Sequence, residues 1–231
     1  MSLVALILGA GPGIGQSVAR KLIGEGYKVA AASRNPDLAI AKEIGFHPIK
    51  LDLSNTEEIP NVFAQVQKEL GGFPSVVIYN AYAFTAAPDA EDILSEISAA
   101  TLARDFNVNT IGLWAAARVA VAGWEKLDSA VPKAFIFTGN LLPWINIPKY
   151  VTLGIGKAAS AHIIESLAST YGKRGSRFYF AYQVNDVDGG LYMGIDGPLT
   201  ATTYLDVIKR SEQGSWRVGF DKNGKDWVAA A

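Results

Sequence analysis

The sequence has 231 residues, a net charge of −1 and no cysteine. This length is typical of one globular domain, since α/β domains often exceed about 200 residues. The absence of cysteine excludes a disulfide framework, a thiol nucleophile and thiolate metal ligands, and predicts a cytoplasmic protein. No block of like charge indicates nucleic acid or an anionic membrane as a partner, and no apolar run reaches the roughly 20 residues of a membrane span.

Short apolar runs rich in β-branched residues alternate with longer segments of helical period. The predicted strands are residues 3–8, 28–32, 47–51, 75–79, 134–138 and 177–183. The first run is too short for a signal peptide and has no basic residue before it, so it is predicted as a strand. The alternation predicts an α/β fold: one doubly wound domain over residues 1–231, with a central, mostly parallel sheet and helices on both faces.

A glycine-rich loop follows the first predicted strand and opens a helix. It reads Gly9-Ala10-Gly11-Pro12-Gly13-Ile14-Gly15. Small residues let the backbone approach a pyrophosphate closely, and a helix N-terminus directs its N–H groups at the anion. The spacing therefore predicts a dinucleotide-binding site formed by Gly9, Gly11, Pro12, Gly13, Ile14 and Gly15.

The end of the second predicted strand indicates which dinucleotide is bound. An NAD-binding protein normally presents an acidic residue there, whereas this chain has Ser33-Arg34-Asn35. An arginine and a hydroxyl can hold a 2′-phosphate, which a carboxylate would repel. The segment predicts NADP(H) in preference to NAD(H), the alternative being a solvated surface arginine. Asn35-Pro36-Asp37 also predicts a helix start with Asn35 as the N-cap.

Three later segments are predicted helices. Residues 54–70 form one that ends at Gly71-Gly72. Gly112–Trp124 and residues 158–170 are apolar or small around most of their circumference, whereas a helix covering an open sheet keeps one polar face. Two such helices predict burial against a second subunit in a homodimer or homotetramer. A tightly packed monomer interior is the alternative.

Four further segments, together with the glycine loop, resemble the motifs of the short-chain dehydrogenase/reductase superfamily. They are Leu51-Asp52-Leu53, Tyr79-Asn80-Ala81-Tyr82, Asn107-Val108-Asn109-Thr110-Ile111-Gly112 and Lys157-Ala158-Ala159. The resemblance extends from the start of the chain to about residue 183. It implies a Rossmann fold, a nicotinamide cofactor and a small-molecule substrate.

The resemblance also implies roles for individual residues. Asn109 takes the place of the family's active-site asparagine, and Asn140 that of the serine that holds the substrate oxygen. Lys157 would hydrogen-bond the nicotinamide ribose. The further residues that the resemblance assigns to the cofactor site are Asp52, Leu53, Asn80, Ala81, Tyr82 and Thr138.

The chain departs from the family at the nicotinamide end. Family chemistry requires a tyrosine four residues before the lysine, where the ammonium lowers the pKa of the phenol and the phenol exchanges a proton with substrate. Leu153 stands at that position. The Pro-Gly turn that cradles the nicotinamide is replaced by Val184-Asn185-Asp186-Val187-Asp188-Gly189-Gly190. The adenine end, in contrast, follows the family pattern.

Other tyrosines are candidate proton donors. Tyr150 precedes Lys157 by seven residues, about 10 Å along a helix axis. Tyr82 replaces a glycine beside the nicotinamide ribose, with packing beneath the cofactor as the alternative. Tyr192 lies in the predicted substrate loop and can reach inward.

Leu142 and Trp144 follow the fifth predicted strand and are predicted to wall the substrate pocket, favouring an apolar or aromatic ligand. Packing in the core is the alternative for both. His47 and His162 have no carboxylate at ligand spacing, so both are predicted to be structural and no metal site is predicted.

Three functions remain open. The first is an NADP(H)-dependent oxidoreductase on a small apolar carbonyl or alcohol, with a weakened or non-standard site. The second is a pseudoenzyme that senses NADP(H). The third is a non-redox lyase, isomerase or cyclase using Lys157, Asn140 or Asp186. The fold alone does not separate them.

Overall fold

A computed structural model of the protein describes residues 3–87, 89, 91–184 and 194–227. Within these residues, eight strands form one sheet. The strands are β1 (Val4–Leu8), β2 (Lys28–Ser33), β3 (His47–Lys50), β4 (Val76–Tyr79), β5 (Lys133–Thr138), β6 (Ser176–Gln183), β7 (Arg217–Phe220) and β8 (Asp226–Trp227).

The α-helices are α1 (Ile14–Gly24), α2 (Leu38–Ile44), α3 (Ile59–Leu70), α4 (Ile93–Glu96), α5 (Ala99–Phe106), α6 (Gly112–Trp124), α7 (Val151–Tyr171) and α8 (Gly197–Lys209). A π-helical turn, Asn107–Ile111, joins α5 to α6. Short 3₁₀ turns occur at Thr56–Glu58, Pro148–Tyr150 and Gly172–Arg174.

The strand order is β3-β2-β1-β4-β5-β6-β7-β8, parallel throughout except for the β7–β8 pair. Helices α3, α6 and α7 pack on one face of the sheet, and α1, α2 and α8 on the other. The strand order reverses between β1 and β4, where an open α/β sheet forms its ligand crevice beyond the carboxyl ends of the strands. The predicted doubly wound α/β fold is therefore confirmed.

The six predicted strands lie within one residue of the observed ones at each end. The predicted helix start at Asn35 is wrong. Asp37 is the N-cap of α2, because its carboxylate accepts hydrogen bonds from the N–H groups of Ala39 and Ile40, both at 3.0 Å. The helix predicted from residue 54 begins instead as a 3₁₀ turn and becomes α-helical at Ile59.

The two apolar helices are largely explained by burial within the chain. Ala116 and Ala120 on α6 and Ile164 on α7 lie in the core beneath them. The outward faces nevertheless keep large apolar side chains. Trp114 on α6 is 47% exposed and Ile155 on α7 is 41% exposed.

Candidate active site

The glycine loop is tight on its inner side and open on its outer side. Gly9 has a φ of +105°, and a Cβ there would lie 2.4 Å from the Ala81 nitrogen. A Cβ on Gly15 would lie 2.7 Å from the Gly9 carbonyl oxygen. Beside Gly11 and Gly13, in contrast, nothing lies within 4 Å of an added Cβ. The loop thus presents an open backbone cradle at the start of α1, which fits the approach of a pyrophosphate.

A groove of about 720 Å³ extends from this loop along the carboxyl ends of β1, β2 and β4. Four separate segments that the sequence assigned to the cofactor line it: residues 9–11, 33–34, 52–53 and 80–82. Asn80 donates a hydrogen bond from Nδ2 to the Gly9 carbonyl oxygen at 2.8 Å, which ties the end of β4 to the glycine loop. Asn35 lies exposed beyond Arg34, outside this lining.

The groove carries opposite charges along one edge. Asp52 accepts hydrogen bonds from the Ser54 N–H at 2.9 Å and the Ser54 hydroxyl at 2.8 Å. These bonds hold the pKa of Asp52 below its usual value, and the charge of Arg34 acts in the same direction. Arg34 is exposed, so its guanidinium remains available to a ligand.

Asp105 and Arg104 line the same groove and were missed by the sequence analysis. The Asp105 carboxylate is buried; its Oδ1 accepts from Arg104 at 3.1 Å, and its Oδ2 has no hydrogen-bond partner among the described residues. Arg104 also donates to the Thr85 hydroxyl at 2.8 Å. The sequence could have indicated Asp105 by its spacing: it precedes Asn109 by four residues and therefore lies on the same side of the helix.

Asn109 is buried in the π-helical turn with both ends of its amide engaged. Its Nδ2 donates to the Ala83 carbonyl oxygen at 2.8 Å, and its Oδ1 accepts from the Ala83 N–H at 3.0 Å. Ser160 donates to its main-chain carbonyl oxygen at 2.8 Å. A Cβ on Gly156 would lie 2.6 Å from the Asn109 Cβ, so a glycine there makes room for this side chain. The side chain of Asn109 thus holds the segment after β4 in place.

Lys157 lies on α7 and is only 4% exposed. Its ammonium donates to the Thr138 carbonyl oxygen at 2.6 Å and lies 4.4 Å from the centre of the Phe137 ring. Burial lowers the pKa of Lys157 to about 7. Leu153 precedes Lys157 by one turn of α7 and is half-buried, so the two have the spacing expected for the family's tyrosine and lysine.

Asn140 and Thr138 lie at the carboxyl end of β5. The Asn140 Oδ1 accepts from the Leu142 N–H at 3.0 Å, which leaves its Nδ2 as the group able to hold a substrate oxygen. The Thr138 hydroxyl accepts from the Tyr204 hydroxyl of α8 at 2.8 Å. Thr138 therefore connects helices on opposite faces of the sheet through its carbonyl oxygen and its hydroxyl.

Of the predicted substrate residues, Leu142 and Trp144 follow β5 and pack against other side chains. Leu142 is buried, and the Trp144 ring lies 3.5 Å from the Arg217 guanidinium and packs against the Tyr182 ring. Tyr150 ends the 3₁₀ turn before α7, with its ring centre 5.1 Å from that of Phe84. Tyr192 lies outside the described residues.

His47 pairs with Glu69, and His162 is exposed on α7. Within the described ranges, no three histidine, cysteine, aspartate or glutamate side chains cluster as a metal site. No helix in those ranges combines the length and apolar character that a membrane crossing requires.

Comparison with known proteins gave concordant matches. A family model described as enoyl-(acyl carrier protein) reductase matches residues 9–181. A short chain dehydrogenase/reductase, dmxR12, from Cryptosporiopsis sp. (strain 8999) is 33% identical over 233 residues, which cover 95% of this chain and 92% of that protein.

Solved structures share the fold at low sequence identity. A metagenomic short-chain oxidoreductase in complex with NADP superposes with a TM-score of 0.80 at 19% identity, covering 96% of this chain and 98% of that one. A short chain dehydrogenase from Burkholderia cenocepacia in complex with NADP gives 0.77 at 19% identity, covering 94% of each chain.

Proposed function

The chain belongs to the short-chain dehydrogenase/reductase superfamily, and we propose that it is an NADP(H)-dependent oxidoreductase acting on a small apolar carbonyl or alcohol. The observation that carries the proposal is the single groove lined by four separate cofactor segments beside an open glycine cradle. The residues present fit the adenosine and pyrophosphate of such a cofactor. When bound, its nicotinamide supplies or accepts the hydride.

The preference for NADP(H) is supported by charge. Arg34 is exposed at the edge of the groove next to Ser33. The end of β2 therefore carries a hydroxyl and a guanidinium, and not the carboxylate that would repel a 2′-phosphate. Two of the solved structures with this fold are complexes with NADP, which supports the same cofactor here.

Arg34→Ala is expected to remove most of this preference. An arginine bound to a phosphate contributes about 1.5–3 kcal/mol, so the affinity for NADPH should fall about 10- to 100-fold while that for NADH stays constant. Titration calorimetry with both cofactors measures this. Arg174→Ala is the matched control, because that exposed arginine follows α7 at the opposite edge of the sheet. Equal affinities of the unmodified protein for NADPH and NADH would rule out the preference.

The catalytic residues of this proposal are few. Lys157 would hydrogen-bond the nicotinamide ribose, and the Asn140 Nδ2 would hold the substrate oxygen. Leu153 has no proton to give, and loss of a general acid costs about 10²–10⁴ in rate. Positioning of the reactants can still contribute about 7–11 kcal/mol, which is enough to sustain a slow reaction. Tyr150 and Tyr82 remain candidate donors.

Apolar side chains at the carboxyl edge of the sheet support an apolar substrate. Phe84 is partly exposed with its ring against that of Tyr150, and Ile195 is exposed in the segment before α8. The experiment is NADPH consumption against a panel of small aldehydes and ketones, with product identified by mass spectrometry. Turnover of apolar members above the buffer rate supports the proposal.

A second function, an NADP(H)-binding sensor, is favoured by three features at the nicotinamide end. The Asn109 amide is engaged at both ends, the Asn140 carbonyl oxygen is engaged, and the phenol at position 153 is replaced. Tight NADPH binding without turnover across the panel would support the sensor. Substrate conversion without NADPH consumption would support a non-redox lyase, isomerase or cyclase.

We also propose a homodimer or homotetramer joined through the outward faces of α6 and α7, in the cytoplasm as the cysteine-free sequence predicts. Trp114→Glu would place a charge on the apolar face and is expected to shift the species seen by light scattering toward the 24.6 kDa monomer. Leu38→Glu, on an exposed apolar residue of α2 at the other face of the sheet, is the control. A monomer at micromolar concentration before any substitution would contradict the assembly.

A further inference from the structure

A small polar cavity lies at the carboxyl ends of β5 and β6, next to the first turns of α1 and α8. Its volume is about 30 Å³. The side chains that give it its character are Thr138, Asn140, Gln183, Thr200 and Tyr204, with Ile14 on the side of the glycine loop. The volume is that of roughly two waters, since one water needs about 10–15 Å³ by this measure.

Two buried polar atoms of the cavity lining have no partner among the described residues. Gln183 is 9% exposed and Thr200 is 2% exposed, and the unpartnered atoms are Gln183 Nε2 and Thr200 Oγ1. The Gln183 amide is oriented by the Asp196 N–H, which donates to its Oε1 at 2.9 Å. A buried polar group without a hydrogen bond costs about 1–3 kcal/mol, so two beside one cavity indicate a site that a ligand completes.

The N-terminal turn of α8 holds Gln183 and Thr200 close to the glycine loop. Asp196 caps α8, its Oδ1 accepting from the Leu199 N–H at 2.8 Å. Gly197 lies so close to α1 that a Cβ there would come within 2.9 Å of the Gly13 carbonyl oxygen. The groove of the adenine end lies on one side of the glycine loop and the cavity on the other, so a dinucleotide that crosses the loop reaches both.

We propose that Gln183 and Thr200 bind the carboxamide of the nicotinamide, in place of the Pro-Gly turn that this chain lacks. The inference rests on the proposed NADP(H) cofactor. Gln183 Nε2 donates to the carboxamide oxygen, and Thr200 Oγ1 accepts from the carboxamide N–H. A carboxamide presents an acceptor oxygen beside a donor nitrogen, which match the two unpartnered atoms at this cavity. By fixing this group, the pair orients the ring for hydride transfer.

The test compares the affinities of two ligands by titration calorimetry. NADPH carries the carboxamide, and 2′-phospho-ADP-ribose has the same adenine end without the nicotinamide. At nearly constant volume, Thr200→Val removes the hydroxyl, and Gln183→Met removes the amide nitrogen together with the oxygen that accepts from the Asp196 N–H. Each is expected to weaken NADPH binding about three- to tenfold and to leave the affinity for 2′-phospho-ADP-ribose unchanged. Thr202→Val, at an exposed threonine of the same helix, is the control and should change neither.

A third ligand distinguishes the two residues. The 3-acetylpyridine analogue of NADPH keeps the carbonyl oxygen and lacks the N–H donors. Its affinity should fall with Gln183→Met and be insensitive to Thr200→Val. The isosteric Thr200→Val keeps the test decisive if Gln183→Met loosens the turn at Asp196.

The outcomes separate this inference from the function on which it rests. If the unmodified protein binds neither NADPH nor 2′-phospho-ADP-ribose, the cofactor itself is wrong. If it binds both and the two variants leave NADPH affinity unchanged, the cavity holds water only and the carboxamide assignment is overturned. Equal losses for both ligands overturn it as well, because the residues would then act on the fold near the glycine loop.

Discussion

Leu153→Tyr combined with Asn140→Ser is expected to raise NADPH-dependent carbonyl reduction by about 10²–10⁴-fold, the usual contribution of a positioned general acid. The new phenol would lie on α7 one turn before Lys157, at a half-buried position that can face a substrate. A neighbouring ammonium favours the phenolate and lowers the phenol pKa toward neutrality. Serine at position 140 supplies a hydroxyl donor and can still accept from the Leu142 N–H, as asparagine does now.

The control for this gain is Leu153→Phe with the same Asn140→Ser change. It adds an aromatic ring of the same size without the hydroxyl, so activity should stay near that of the unmodified protein. Steady-state NADPH oxidation with the carbonyl panel measures all three proteins. Suppose that the tyrosine variant folds, binds NADPH and still reduces nothing. The nicotinamide is then not positioned to transfer a hydride to the carbonyl, and the sensor or the non-redox function becomes the better proposal.

The strands up to β6 followed from the sequence pattern, but the elements after β6 did not. Most of the first six strands are apolar runs next to a turn, and the sequence predicted all six, including the less apolar β3. The strands β7 (Arg217–Phe220) and β8 (Asp226–Trp227) and the helix α8 were not predicted. The two residues of β8 are too few to show a period, and β7 is defined by its pairing with β6. Such elements depend on tertiary partners that a local pattern does not contain.

In the candidate site, too, the local motifs were predicted from the sequence and the long-range contacts were not. The glycine loop and the Ser33-Arg34 pair are local motifs, and the structure brings them to one groove. The hydrogen bonds of Asn109 with Ala83 connect residues 26 positions apart, and those around Gln183 depend on Asp196. A sequence motif identifies the residue type at such positions but not what its side chain already contacts. The spacing to Asn109 could have indicated Asp105, but the burial of its carboxylate is visible only in the packed structure.

Lys157→Met is expected to stabilise the fold at neutral pH and to weaken cofactor binding. In the part of the chain that the structure describes, the buried ammonium has no anionic partner; it donates to a carbonyl oxygen and faces an aromatic ring. Burial depresses its pKa to about 7 in the folded state, against about 10.4 for a lysine in an unfolded chain. The unfolded chain therefore binds the proton more tightly, and this residue costs stability as pH falls from about 10.4 to 7.

The measurement is the difference in free energy of unfolding between Lys157→Met and the unmodified protein as a function of pH. At or below pH 7 the cost is fully present, so Lys157→Met should raise the free energy of unfolding, on the order of a few kcal/mol. The gain should shrink as pH rises and vanish near pH 10, where only the lost hydrogen bond to Thr138, about 1 kcal/mol, remains. Urea unfolding of both proteins from pH 6 to 10 gives the difference, with Lys149→Met, at an exposed lysine before α7, as the control.

Cofactor affinity should change in the opposite direction to stability. Lys157→Met is expected to weaken NADPH binding about tenfold, because the ribose loses a charge-assisted donor. A lysine that lowers stability and raises cofactor affinity is kept in the core for its function. If Lys157→Met instead destabilises the protein equally at every pH and leaves the NADPH affinity intact, Lys157 is a structural link between α7 and β5 and the ribose assignment is wrong.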